Sequence, residues 1–169
     1  ERKTVIRQGG IIDTKGNVRK TTSMTCEWDG NRWNPLPDGP SLGDHEMVYD
    51  SIRNKMVLFG GIWKSNSISN ETWEFDGVTW AKVADTGPKG REQFSMVFDS
   101  NRRVTVLFGG GLSWYMGFNQ TNFEDMWQWD GMEWTPIPVE SPTEHVLWTN
   151  MSYIPKYNEI VMFGGSKAH

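Results

Sequence analysis

A single cysteine, Cys26, rules out an internal disulfide framework and leaves the redox compartment open. No apolar stretch approaches the ~18 to 20 residues that a membrane-crossing helix needs. Neither sign of charge forms a long run. With 17 basic and 21 acidic residues and a net charge of −4, no footprint for nucleic acid or an anionic membrane surface is expected. The three histidines and one cysteine form no cluster at metal-ligand spacing, so neither metal nor cofactor is expected. No stretch carries a 3.6-residue apolar period, and no low-complexity tract or linker interrupts the chain. The sequence opens at Glu1 rather than Met, so the lack of a targeting segment decides nothing about localisation. Glycine and tryptophan, by contrast, are abundant at 18 and 10 residues. Glycine at turns with strand-forming aromatics between them predicts an all-β chain of short strands.

The stretch Arg102 to Gly110 organises the rest: a run of β-branched and apolar residues, Val-Thr-Val-Leu-Phe, stops at a glycine pair. It suits one strand, and it is apolar on successive residues, which predicts cover on both faces. The same pattern returns at Lys55 to Gly61 and Glu159 to Gly165, and a faded copy opens the chain at Thr4 to Gly10. The first glycines stand at 9, 60, 109 and 164, in steps of 51, 49 and 55 residues. A period near fifty marks a repeat architecture.

A second signature runs in phase with the first. Trp28-Asp29-Gly30 with Trp33, Phe75-Asp76-Gly77 with Trp80, and Trp129-Asp130-Gly131 with Trp134 each predict a hairpin, read as a type I′ turn at Asp-Gly. A further position two residues before each hairpin carries Cys26, Trp73 or Trp127. Three apolar strands, His45–Asp50, Phe94–Asp99 and Thr149–Ile154, each precede a glycine-pair strand by a short turn. One unit is therefore four strands: a (ending Tyr49, Phe98 or Tyr153), b (ending in the glycine pair), c (ending in Asp-Gly) and d (carrying Trp33, Trp80 or Trp134). The chain reads as one domain over 1–169, with units at about 1–36, 37–83, 84–137 and 138–169, the first and last incomplete. Trp33, Trp80 and Trp134 are expected to be equivalent core residues.

This pattern resembles the kelch repeat. Its marks are a glycine pair closing one strand, then an aromatic and a tryptophan at set distances, here Gly60-Gly61 with Trp73 and Trp80, and Gly109-Gly110 with Trp127 and Trp134. The resemblance covers nearly all of Thr4 to Gly165, and Glu71 to Gly110 looks like the bacterial form of the motif. It implies a β-propeller in which each four-stranded unit is one blade around a channel. The last unit departs, with Ile154-Pro155 in place of Asp50-Ser51 and Asp99-Ser100, so its a–b turn is expected to differ in shape.

Kelch propellers usually close with six or seven blades, and this chain encodes about three. The expectation is a half-propeller, completed by a second chain or belonging to a larger propeller. If the weak first b strand is set aside, the terminal a-b pair of one copy completes the c-d pair of another. A homodimer would then close a six-bladed ring.

In such a fold the b–c and d–a connections share one face, and these are the variable ones. The loop Gly111 to Glu124 holds Leu112, Trp114, Tyr115, Met116, Phe118 and Phe123, many large apolar groups for a solvated loop. It reads either as an aromatic surface for a glycan or protein ligand, with Trp63 beside it, or as a lid on the propeller face or a partner subunit. His45, at the channel-facing start of strand a, stands where the family commonly has histidine, which favours a structural role. With Asp44, Arg91, Glu92, Glu144 and His145 it would crowd a polar mouth at the axis, a candidate ligand site or simply solvated rim charge. Sequons at Asn70, Asn119 and Asn150 are read as coincidence, Asn150 because an inner strand would shield it. No catalytic residue is assigned. The functional expectation is a non-catalytic binding module for a glycan or protein; the alternative is a sugar-modifying kelch-type enzyme whose site forms at the channel mouth of the assembled ring.

Overall fold

The computed structural model describes residues 5–15, 18–112, 121–139 and 146–167. Among these it is all-β, with no helix. The first strands are β1 (Val5–Gln8), β2 (Ile11–Lys15), β3 (Val18–Thr21), β4 (Thr25–Trp28), β5 (Trp33–Leu36) and β6 (Leu42–Gly43). Next come β7 (Glu46–Asp50), β8 (Lys55–Phe59), β9 (Ile62–Trp63), β10 (Thr72–Phe75) and β11 (Trp80–Ala84). They are followed by β12 (Ser95–Asp99), β13 (Val104–Phe108), β14 (Gly111–Leu112), β15 (Thr121–Asn122), β16 (Met126–Trp129) and β17 (Trp134–Ile137). The last two are β18 (Val146–Ile154) and β19 (Glu159–Lys167).

Two complete four-stranded antiparallel sheets result, β7-β8-β10-β11 and β12-β13-β16-β17, in the a-b-c-d order read from the sequence. The first unit has three strands, β1-β4-β5, and the last is the β18-β19 hairpin. The faded opening copy is a real b strand: Val5 to Gln8 pair with Trp28 to Thr25, as β8 and β13 pair with β10 and β16. It therefore occupies the edge of β4 that the expected dimer needs free.

The core lies between sheets. Val57 and Phe59 of β8 pack against Phe94, Met96, Leu107, Trp129 and Trp134 of the next unit. On the far side, Val97, Val104 and Val106 meet Met151, Tyr153 and Ile160 of the terminal hairpin. Every residue of β13 is buried, as a strand apolar on consecutive positions requires.

The turns differ from expectation in two ways. The Asp-Gly hairpins are four-residue loops rather than type I′ turns. Only the glycines have positive φ, and each aspartate instead accepts two backbone N–H bonds through Oδ1, as Asp76 does from Val78 and Thr79 at 2.8 and 2.7 Å. A carboxylate that satisfies two turn amides removes the need for a left-handed aspartate. The last a–b turn keeps its shape despite Ile154-Pro155: Asn158 takes φ 55°, as Asn54 does, and Tyr153 donates to Asn158 as Tyr49 donates to Asn54. Only the aspartate cap is missing there.

The three d-strand tryptophans are not equally buried. Trp134 is 7% exposed, Trp80 is half-buried and Trp33 is 48% exposed. The rings of Trp80 and Trp134 pack toward the preceding unit. Trp134 lies against Phe59 at 5.2 Å between ring centres, and no preceding sheet covers Trp33 among the described residues. Gly164 likewise does not end its strand, because β19 runs through both glycines and keeps pairing with β18. In the complete units the glycine pair leaves the sheet instead to bond neighbouring connections, Gly60 to Glu71 and Gly61 to Arg91.

Candidate functional site

The b–c and d–a connections are tied to each other by the backbone. Gly10 donates to the carbonyl of Leu42 at 2.9 Å, and one unit later Gly61 donates to Arg91 at the same length. β6 pairs with β9, setting Leu42 opposite Trp63, and Glu92 and Gly111 exchange two bonds of 2.9 and 3.0 Å. The second glycine of each pair is needed here. A Cβ on Gly110 would stand 2.6 Å from both the Glu92 carbonyl and the Cβ of Phe94.

Just before His45, Phe94 and Thr149, the backbone turns left-handed on a residue other than glycine: Asp44 (φ 52°), Gln93 (60°) and, within β18 where its pairing skips a residue, Trp148 (56°). A bulky residue rarely adopts this conformation. Trp148 nevertheless holds it, its N–H donating to Gln93 and its side chain 56% exposed. In the sequence Trp148 is a tryptophan outside the repeat positions, and nothing local to it signals its strain or exposure. Trp63 is half-buried on β9.

Arg91 and Glu92 are not rim residues, for both are fully buried. Arg91 forms a two-bond ion pair with Asp125 at 2.6 and 3.0 Å, donates to the carbonyls of Gly109 and Lys89, and lies over the ring of Phe123. Burial pushes the Asp125 carboxyl up, but bonds from Arg91 and the Trp127 indole outweigh it and hold it below the usual range. The sequence placed these residues in a connection without showing that Asp125, 34 positions on, would draw the arginine inward.

His45 is clamped between the glycine pairs of two units. Its Cε1 lies 3.2 Å from where a Cβ on Gly9 would sit, and its Cβ 2.9 Å from the same point on Gly61. Burial lowers its pKa to about 4, against weaker upward pulls from the Leu42 backbone, Asp44 and the Gln8 backbone. The imidazole is neutral at pH 7, and its Nδ1 is buried without a hydrogen-bond partner. Beside it, Glu46 opens β7 with its side chain exposed. Trp114, Tyr115, Phe118, Glu144, His145 and the sequon at Asn119 lie outside the described residues. Asn150 sits within β18 as expected, yet its side chain is exposed. Among the described residues no three His, Cys, Asp or Glu side chains gather to hold a metal ion.

No family model matches the chain, and no curated protein matches it. Solved structures do. The chain is similar to the structure of YjhT, with a TM-score of 0.71 at 14% identity over 88% of this chain. It spans about half of that protein, 46% of its length. At that identity the likeness speaks for the fold alone.

Proposed function

We propose that the chain is a segment of a kelch-type β-propeller and serves as a non-catalytic binding module whose ligand is a glycan. In-phase glycine pairs and tryptophans, and two complete a-b-c-d sheets packed face to face, support the propeller reading. The observation that carries the binding reading is Trp148. Strain at a bulky left-handed residue persists only where the surroundings fix it, and here it holds an aromatic side chain out in solvent. Backbone bonds between connections make the face beside it a rigid support, which lowers the ordering cost of capture.

The sugar-modifying alternative drew on charged groups at the channel mouth. Arg91 and Glu92 are sealed in structural contacts, which favours binding over catalysis. The test is a glycan array probed with the native protein and with Trp148→Ala and Trp63→Ala. Capture of a defined glycan class, lost in Trp148→Ala with an unchanged melting midpoint, is the expected result. A native protein that captures no glycan, or a Trp148→Ala variant that captures as well as the native, overturns the reading.

A further inference from the structure

We infer that the outer edge of β11 is a docking edge for an extended, basic polypeptide segment, which adds to the β7-β8-β10-β11 sheet as a further strand. The unit that holds β11 has a neighbour on either side, β1-β4-β5 and β12-β13-β16-β17, so the open edge is a property of the unit itself. The inference is independent of the glycan reading.

In an antiparallel ladder, facing residues alternate between pairs that exchange backbone bonds and pairs whose polar groups point away from each other. The bond from the Asp76 N–H to the Thr79 carbonyl fixes the phase of the β10-β11 ladder. Counting back from it, Glu74 and Ala81 are bonded, whereas Phe75 opposite Trp80 and Trp73 opposite Lys82 are not. The bond from Gly60 to Glu71 gives the β8-β10 ladder the complementary phase. The N–H and C=O of Trp80 and Lys82 therefore face outward, and no strand among the described residues pairs with them. The same count in the flanking units puts Pro35, opposite Cys26, and Pro136, opposite Trp127, at the position of Lys82. Both flanking edges thus have a proline where an outward donor would stand, and proline there blocks strand addition. Of the three d strands, β11 alone keeps the donor.

Lysine and a bulge also guard edges, and β11 has both. The bulge falls at Val83, which the register skips, and it leaves Trp80 to Lys82 regular. The Lys82 ammonium reaches Glu71 and Asp85 at 3.4 and 3.3 Å, so it is drawn to carboxylates of its own unit rather than held across the edge. Ala81, Lys82 and Val83 are all exposed. Charge names the occupant. From Glu71 to Asp85 the chain has four carboxylates and one cation. Glu74 is engaged by Arg53 and Lys55, which leaves Glu71, Asp76 and Asp85 against Lys82. An incoming strand with lysine or arginine meets this surplus, and β-branched side chains between its cations pack beside Ala81 and Val83. The backbone bonds supply the hold, and the alternate side chains supply the choice.

The test is fluorescence polarisation with a labelled peptide of alternating Lys and Val, and with its Glu-for-Lys counterpart, on the native protein, Lys82→Pro and Lys82→Ala. The native protein should bind the Lys peptide and not the Glu peptide. Lys82→Pro should weaken binding roughly tenfold or more, by removing an outward N–H and setting a ring in the path of the added strand. Its melting midpoint should stay near that of the native protein, because β5 and β17 already carry proline there. Lys82→Ala, which keeps the N–H, should bind as well as the native protein or more tightly. The two variants lose the same charge, so a merely electrostatic attachment would treat them alike. A native protein that does not bind the Lys peptide overturns the inference. So does equal binding by Lys82→Pro and Lys82→Ala, or equal binding of the Glu peptide. Should Lys82→Pro fail to fold, hydrogen exchange on the native protein with and without the Lys peptide decides. New protection at Trp80 and Lys82, with none added at Ala81, which already bonds β10, supports the added strand. Unchanged exchange at Trp80 and Lys82 refutes it.

Discussion

The indole N–H of Trp134 donates to the hydroxyl of Thr72, 2.8 Å away and in the preceding unit. The bond recurs one unit earlier, from Trp80 to Thr25 at 3.0 Å. In both cases the tryptophan opens a d strand and the threonine opens the c strand of the sheet before it. The repeat is thus a chain of joints, each unit resting its tryptophan on its predecessor, and burial of the ring depends on whether that predecessor is there.

Substitution of Trp134 and Trp33 should follow this order. Trp134→Ala, which empties a buried site and leaves the fully buried Thr72 hydroxyl without its donor, should cost about 3 to 5 kcal/mol. Trp134→Phe, which keeps most of the packing, should cost about 1 to 3 kcal/mol. Trp33→Ala should cost well under Trp134→Ala in the single chain. Urea denaturation of the three variants under monomeric conditions checks the order, and equal costs would mean that the joint is not what stabilises the tryptophan.

Gly110 is the sharpest backbone requirement. It combines φ 85° with a carbonyl and a side chain standing where a Cβ would go. Gly110→Ala should destabilise by about 2 kcal/mol or more, since the neighbours are backbone and core atoms that cannot yield cheaply. Gly77, also at positive φ, has open space around it, so Gly77→Ala should cost less. Thermal melts of the pair separate crowding from conformational strain.

Much of the strand order was legible in the sequence because two motifs recur in phase, and glycine pairs and apolar runs are local signals. The unequal tryptophans were not legible. Trp33 and Trp134 have the same neighbours along the chain and differ only in what lies one unit back. The site was less readable still. Arg91 and Glu92 lie among turn residues, where charges are ordinarily solvated, and the pairing with Asp125 that buries Arg91 reaches past four strands, β12 to β15. Trp148 stands outside both motifs, and only its backbone conformation sets it apart.

Arg91→Met should be strongly destabilising. It keeps the volume of the stem but removes a two-bond ion pair and a bond to the Gly109 carbonyl. Breaking one partner of a buried pair typically costs about 3 to 5 kcal/mol; with Asp125 partly exposed, about 3 kcal/mol is expected. Asp125→Asn, which keeps an acceptor oxygen for the arginine, should cost less. Chemical denaturation of both variants distinguishes an arginine that holds the connection from one that merely fills space.

His45 gives the fold a pH dependence of definite sign. Its pKa falls from an ordinary 6.5 to about 4 on folding, because burial disfavours the imidazolium. Above about pH 6.5 the ring is neutral in both states and contributes nothing. As pH drops from about 6.5 toward 4, the unfolded chain takes up a proton that the folded chain refuses, so stability falls, by up to about 3 kcal/mol. Carboxylates elsewhere in the chain titrate at the low end of the same range, so only a difference measurement isolates the histidine. His45→Phe supplies it, since the matching position in the next unit is Phe94, which packs between glycine pairs in the same way. The stability of the variant relative to the native chain should be flat from pH 8 to about 6.5 and then rise as the pH falls toward 4. A relative stability that does not change over that range would mean that the folded protein protonates the ring as readily as the unfolded one, and that the clamp between Gly9 and Gly61 does not exclude charge.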